Sequence, residues 1–227
     1  MLNDVNELFR SGVELRLRVF KDFWSSVSHF AGLIAAIVGL VMLLVLSEPG
    51  AARITSISVY GGCLIALFAA SSAYHFFDLG ERGNRWLKRL DHIGIYLLIG
   101  GTYVPGLVLL LDGGLRLAML GVVGAFAAAG IALKLLWLDC PERLSTALYL
   151  AFGWFGVVPF VLFFPQLSGW GLFWMLTGGL AYTAGAVVFW RERPDPWPER
   201  FGHHEVWHLF VLGGAVSHFF FVAEIVV

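Results

Sequence analysis

The chain has 227 residues, 59% of them hydrophobic and only 14% charged, with a formal net charge of -1. A soluble domain of this size carries more charge, and a near-neutral chain offers nucleic acid no basic footprint, so neither a soluble enzyme nor a nucleic-acid binder is expected. The apolar residues fall in blocks of about 20, the length that crosses a bilayer as a helix, rather than in the short alternating segments of a barrel.

In chain order the blocks predict seven transmembrane helices over 24–47, 53–77, 89–111, 115–137, 144–164, 168–190 and 203–226, an all-α seven-helix bundle. Trp24, Trp86, Trp137, Trp170, Trp190 and Trp207 mark many of the ends, as an interfacial aromatic belt does. The loops are short, so residues 24–227 read as one transmembrane domain in a cell membrane. Residues 1–23 read as a cytoplasmic or interfacial segment in which Val13, Leu15, Leu17 and Val19 alternate with charged residues; a strand-like strip and an interfacial helix both fit that pattern. If the N-terminus is inside, thirteen of the fifteen Lys and Arg residues fall on inside segments and only Arg53 and Arg116 fall outside. The positive-inside rule therefore predicts a cytoplasmic N-terminus and an outer C-terminus. Cys63 and Cys140 lie in different segments without metal-ligand spacing, and no disulfide is expected between them.

The same topology collects polar residues at one level. The second span ends in Ser71-Ser72-Ala73-Tyr74-His75, the third opens near Asp91, and the seventh opens with His204-Glu205-Val206-Trp207-His208. Histidines four apart on a helix lie about 40° apart around its axis and about one turn apart along it, so His204 and His208 can share one metal ion. Three neutral imidazoles, His75, His204 and His208, suit a tetrahedral Zn2+ with one exchangeable position, at which water becomes a nucleophile near neutral pH. Asp91 is placed to move that water's proton, and Ser71, one turn from His75, to hydrogen-bond the water or a developing oxyanion. Each residue also has a plainer reading: interfacial histidines that only hydrogen-bond, an aspartate at a helix N-terminus, a serine that packs helices.

Other polar residues are read apart from the site. His92 and His203 point elsewhere on their helices and read as interfacial, and His218 lies too far along the last span. His29 is at about the depth of His208, where support of the site and helix packing are both open. Gly94, Gly100 and Gly101 read as close-packing positions, and Pro105 and Pro159 as kinks.

Ser71-x-x-x-His75, Asp91 in Asp-His-Ile-Gly-Ile-Tyr, and His204-x-x-x-His208 resemble, taken together, the motifs of the hemolysin III branch of the progestin and adipoQ receptor family, and the resemblance covers nearly the whole chain. It implies a seven-helix, adiponectin receptor-like membrane protein with zinc on His75, His204 and His208 and with Asp91 and Ser71 near the bound water. It also implies kinship with membrane hydrolases such as alkaline ceramidases.

Two functions fit these residues: a zinc-dependent hydrolase of a lipid amide or ester, and a receptor or sensor whose zinc only bridges the second and seventh spans. A structural zinc is usually closed by four protein ligands, and three histidines favour the hydrolase. An intramembrane metalloprotease, with Glu205 as the base of His-Glu-x-x-His, lacks a third downstream ligand and leaves His75 and Asp91 unexplained. A transporter is disfavoured because charges deep in the spans are scarce; Lys134 is expected to snorkel to the inner surface and Glu224 to lie near the outer end.

Overall fold

The computed structural model describes residues 21–227; the alternating strip from Val13 to Val19 lies outside them. In hydrocarbon a chain must satisfy its own backbone hydrogen bonds, and the apolar blocks do so as helices. These are α1 (Phe23–Leu46), α2 (Ala51–Phe76), α3 (Gly80–Leu110), α4 (Gly113–Leu136), α5 (Glu142–Trp154), α6 (Val157–Phe163), α7 (Gly169–Arg191) and α8 (His203–Val226). A 3₁₀ turn at Phe164–Gln166 follows α6, and Glu142–Gln166 together form the fifth of seven spans found among the described residues. The expected seven-helix all-α bundle is therefore what forms, and its short connections make each span run antiparallel to the one before it.

Two spans differ from expectation. The third helix starts at Gly80, nine residues before the expected 89, and runs 31 residues. At 1.5 Å per residue that is about 46 Å, longer than the roughly 30 Å hydrocarbon layer. Its first turns, from Arg82 to Arg89, are polar but contain nothing that breaks a helix, so the helix projects past the apolar layer. The fifth span is interrupted at Phe155-Gly156, ahead of Pro159. Pro159 has no N–H to give the Phe155 carbonyl, which takes the Val158 N–H at 2.9 Å instead, and one turn earlier the Gly156 N–H bonds to Gly153 at 3.1 Å rather than to Phe152, whose carbonyl then needs another donor. Tyr103 on α3 supplies one: its hydroxyl lies 2.7 Å from the carbonyl oxygens of both Phe152 and Gly153.

The bundle is apolar outside as well as inside, with Val45, Leu117 and Leu136 more than 70% exposed. Burial falls into two groups: α2, α3 and α8 are the most enclosed spans, and α4, the fifth span and α7 the least. Tyr60, Phe68, Ile57, Leu107 and Val222 fill the centre between the inner three. Small residues let these backbones meet. A Cβ added at Gly94 on α3 would lie 2.9 Å from the Leu67 Cα on α2, and one at Gly101 2.7 Å from the Cys63 Cβ. Because backbone cannot swing aside as a side chain can, Gly94→Ala is expected to cost about 1–3 kcal/mol, read as a lower thermal midpoint in detergent.

Lys134 does not snorkel. It is fully buried on α4, and its Nζ donates to the Ser145 hydroxyl on α5 at 2.6 Å. Glu224 accepts from the Ser168 hydroxyl at 2.6 Å, fastening the end of α8 to the start of α7.

Candidate metal centre

α8 begins at a cap made by its own third residue. One Glu205 carboxylate oxygen accepts from the Gly202 N–H at 2.8 Å, and the other accepts from the Ser25 hydroxyl on α1 at 3.0 Å. Both oxygens of Glu205 are thus engaged in fixing the helix start, which explains Glu205 without assigning it base chemistry. The fixed start aims His204 and His208 together toward the last turn of α2, where His75 lies.

The three rings meet edge-on. Nε2 of His204 is 3.5 Å from Nε2 of His75 and 3.1 Å from Nε2 of His208, and the candidate ligand nitrogens of all three lie within 4.8 Å of one another. Nitrogen lone pairs this close repel unless a proton or a cation lies between them. A tetrahedral ion with nitrogens at about 2.0–2.1 Å separates its donors by about 3.3 Å, so the two observed spacings bracket what one ion requires. His75 and His208 are only 2% and 3% exposed, and neutral imidazoles are the donors that such a dry, uncharged cluster needs. The cluster can hold a metal ion.

Around it lies a second ring of contacts. Asp22, just before α1, accepts from the His75 Nδ1–H through Oδ2 at 2.9 Å, and its own backbone N–H donates to the His75 carbonyl at 2.8 Å. The hydrogen bond from His75 holds the Asp22 carboxyl below the usual carboxylate range, against the opposing effect of partial burial. Beside it the Lys21 ammonium lies 3.6 Å from the centre of the Tyr74 ring. Sequence reasoning did not single out Asp22; its only signal was an acidic residue placed directly before the first apolar block.

Ser71 is buried between two partners. Its hydroxyl is 2.8 Å from Nδ1 of His29, and its other neighbour is the Asp91 carboxyl. With Asp91 ionised, the serine proton points to Asp91 and His29 must donate through Nδ1. The His29 ring stacks on His208 at 3.7 Å between centroids and 17° between planes. Of the two readings open for His29, contact with the site is the one found.

Asp91, Ser71, His204 and His208 all line one cavity of about 560 Å³ bounded by α2, α3, α5, α6, α7 and α8, with His29 of α1 reaching it. Away from the polar end its walls are apolar, with Leu98, Ile99, Phe160 and Val211 among them. His92, expected to point away, also lines this cavity and pairs through Nδ1 with the Tyr149 hydroxyl at 3.1 Å. His218 is in the same cavity but ten residues, or about 15 Å, further along α8. His203 packs against Phe189, whose ring also touches His204, and is not among the residues lining the cavity.

A profile described as Haemolysin-III related matches residues 17–219. The chain is 32% identical to Hemolysin-3 of Bacillus cereus over 207 residues, 90% of this chain and 91% of that protein. It is 31% identical to the Hemolysin-3 homolog of Bacillus subtilis (strain 168) over 205 residues, 89% and 92% of the two chains. Similarity extends to the Adiponectin receptor protein of Drosophila melanogaster, 27% over 238 residues, covering 95% of this chain and 53% of that one.

Proposed function

The chain belongs to the hemolysin III family of multi-pass membrane proteins, and on that premise we propose that it is a zinc-dependent hydrolase of amide or ester bonds in membrane lipids. His75, His204 and His208 hold the ion, Asp91 moves the proton, and Ser71 assists. The observation that carries this reading is that His204 and His208 of the cluster, with Asp91 and Ser71, line a large cavity whose walls are mostly apolar. A cluster built only to tie helices together has no need to open on a space of lipid dimensions. When bound, zinc supplies a Lewis acid that makes water nucleophilic near neutral pH.

The protein's own residues supply the rest. Asp91 faces both Ser71 and the cavity, so it can accept a proton there and return it to a leaving group. Once Asp91 has taken up that proton, Ser71, still held by His29, is free to turn its own hydroxyl proton toward an oxygen entering from the cavity. The apolar walls take an acyl chain and keep bulk water from the reacting bond. We place this end of the bundle on the cytoplasmic side, following the charge asymmetry of the loops.

A second reading is a receptor or sensor in which the ion only joins α2 to α8. The Drosophila relative, named as an adiponectin receptor, favours it. A mass-spectrometric screen separates the two. Zinc-loaded protein in detergent is expected to release fatty acid from a ceramide-like lipid. Loaded protein that is inert against a broad panel of lipid amides and esters supports the receptor.

A further inference from the structure

We propose that Asp22 is a positioning residue for the metal ligand His75: its carboxylate fixes the ring orientation and the Nδ1–H tautomer, so that Nε2 presents a lone pair to the point shared with His204 and His208. This rests on reading the three histidines as a metal centre.

Four observations carry it. First, the Asp22 carboxylate reaches the Nδ1 edge of His75 at 2.9 Å, the edge opposite the nitrogen that faces His204. A proton held on Nδ1 leaves Nε2 unprotonated, the form in which imidazole binds a metal, and a carboxylate partner also makes that nitrogen more basic. Second, Asp22 occupies the N-cap position of α1 but makes no capping hydrogen bond with its side chain. Aspartate at that position ordinarily accepts from the first free N–H groups of its own helix. Here the carboxylate is turned away from α1 toward a ring 53 residues further along the chain. Third, the Asp22 N–H bonds to the His75 carbonyl at 2.8 Å. Backbone and side chain thus grip one residue at two points, which sets the distance between carboxylate and ring independently of side-chain freedom. Fourth, the other fully enclosed ring of the cluster has no carboxylate on its Nδ1 edge: His208 meets only the Ser25 backbone there. His75 is therefore the ligand whose orientation is set from outside the cluster, and Asp22 is what sets it.

The plainer role for Asp22 is a latch that ties the chain ahead of α1 to the end of α2. The backbone bond remains in any side-chain variant, so the two roles separate experimentally. Zinc affinity is measured by competition with a chromophoric chelator on the full-length protein in detergent, together with the thermal midpoint of the zinc-free form. Asp22→Ala is expected to weaken zinc binding about 10–100-fold while the zinc-free midpoint stays at the parent value. Asp22→Asn, which keeps an acceptor oxygen but no charge, is expected to fall between the two. Cobalt substituted into the parent and into Asp22→Asn gives a second readout, with visible absorption bands expected to differ between them. Parent-like zinc affinity in Asp22→Ala overturns the proposal, as does an equal fall of the zinc-free midpoint in both variants that accounts for the loss. If Asp22→Ala does not fold, Asp22→Asn decides: parent-like affinity and cobalt bands overturn the assignment. A parent protein that takes up no zinc overturns the metal centre itself; a parent that binds zinc with Asp22 variants that match it overturns only the role of Asp22.

Discussion

Protein carrying His204→Ala and His208→Ala together is expected to be purified without metal, where the parent carries about one zinc per chain. Structural zinc sites bind with about 10–16 kcal/mol, so each of four ligands accounts for about 2.5–4 kcal/mol. Losing two of the three imidazoles removes about 5–8 kcal/mol on that scale, enough to take the site out of range of ordinary buffer zinc. The substitutions should leave the helix itself intact. Alanine is a good helix former, the cap on α8 is made by Glu205 and Gly202, and the 3.1 Å approach of the two Nε2 atoms is relieved rather than created. Elemental analysis of the two proteins, prepared side by side, reads the result. An unchanged zinc content in the double variant would place the ion elsewhere and remove the basis of the proposed chemistry.

The fold and the histidine cluster were legible in the sequence for physical reasons, and so were the gaps. Spans announce themselves because hydrocarbon demands long apolar runs and internally bonded helices. His204 and His208 are a local pattern, four residues on one helix. His75 and Asp91 come to their level through the alternation of short loops, which fixes where each helix begins and ends. Contacts that depend on packing carry no such mark. Asp22 meets His75 across 53 residues from outside any apolar block. His92 was assigned by its direction on α3, but the gap left by the interrupted fifth span lets it reach Tyr149 and the cavity. The burial of Lys134 depends on Ser145, a neighbour on the next helix, whereas length alone favoured snorkelling. The start of α3 was missed because hydropathy detects the membrane rather than the helix, and polar residues from Arg82 to Arg89 continue the helix beyond it.

Two tasks are divided between two sets of spans. The ligands, Ser71 and Asp91 are carried by α2, α3 and α8, the most enclosed helices, whose close backbone contacts at Gly94 and Gly101 leave little freedom to shift. The far wall of the cavity is made by α5, α6 and α7, which are the least enclosed and include the interrupted span. Metal geometry needs positions held to within a few tenths of an ångström, and admission of a lipid needs walls that can yield. The enclosed spans carry the histidines and the less enclosed ones carry the far wall, the division the proposed chemistry requires.

Asp91→Asn is expected to abolish the proposed hydrolysis while leaving zinc content and thermal midpoint close to the parent values. Asparagine has the shape of aspartate and still meets the Ser71 hydroxyl, but it cannot take up a proton at working pH. A positioned acid–base group contributes about 10²–10⁴-fold, or about 3–5 kcal/mol of barrier at 1.36 kcal/mol per decade. Release of fatty acid at saturating lipid should fall by that factor. The apparent affinity for the lipid should change little, because the acyl chain is bound by the apolar walls and not by Asp91. Three readouts then distinguish three roles. Loss of turnover with zinc retained is the signature of a proton carrier. Loss of zinc along with turnover would make Asp91 a fourth ligand, closing the site as a structural ion requires and favouring the receptor. Loss of the folded protein would make the contact of Asp91 with Ser71 on α2 a packing contact first of all.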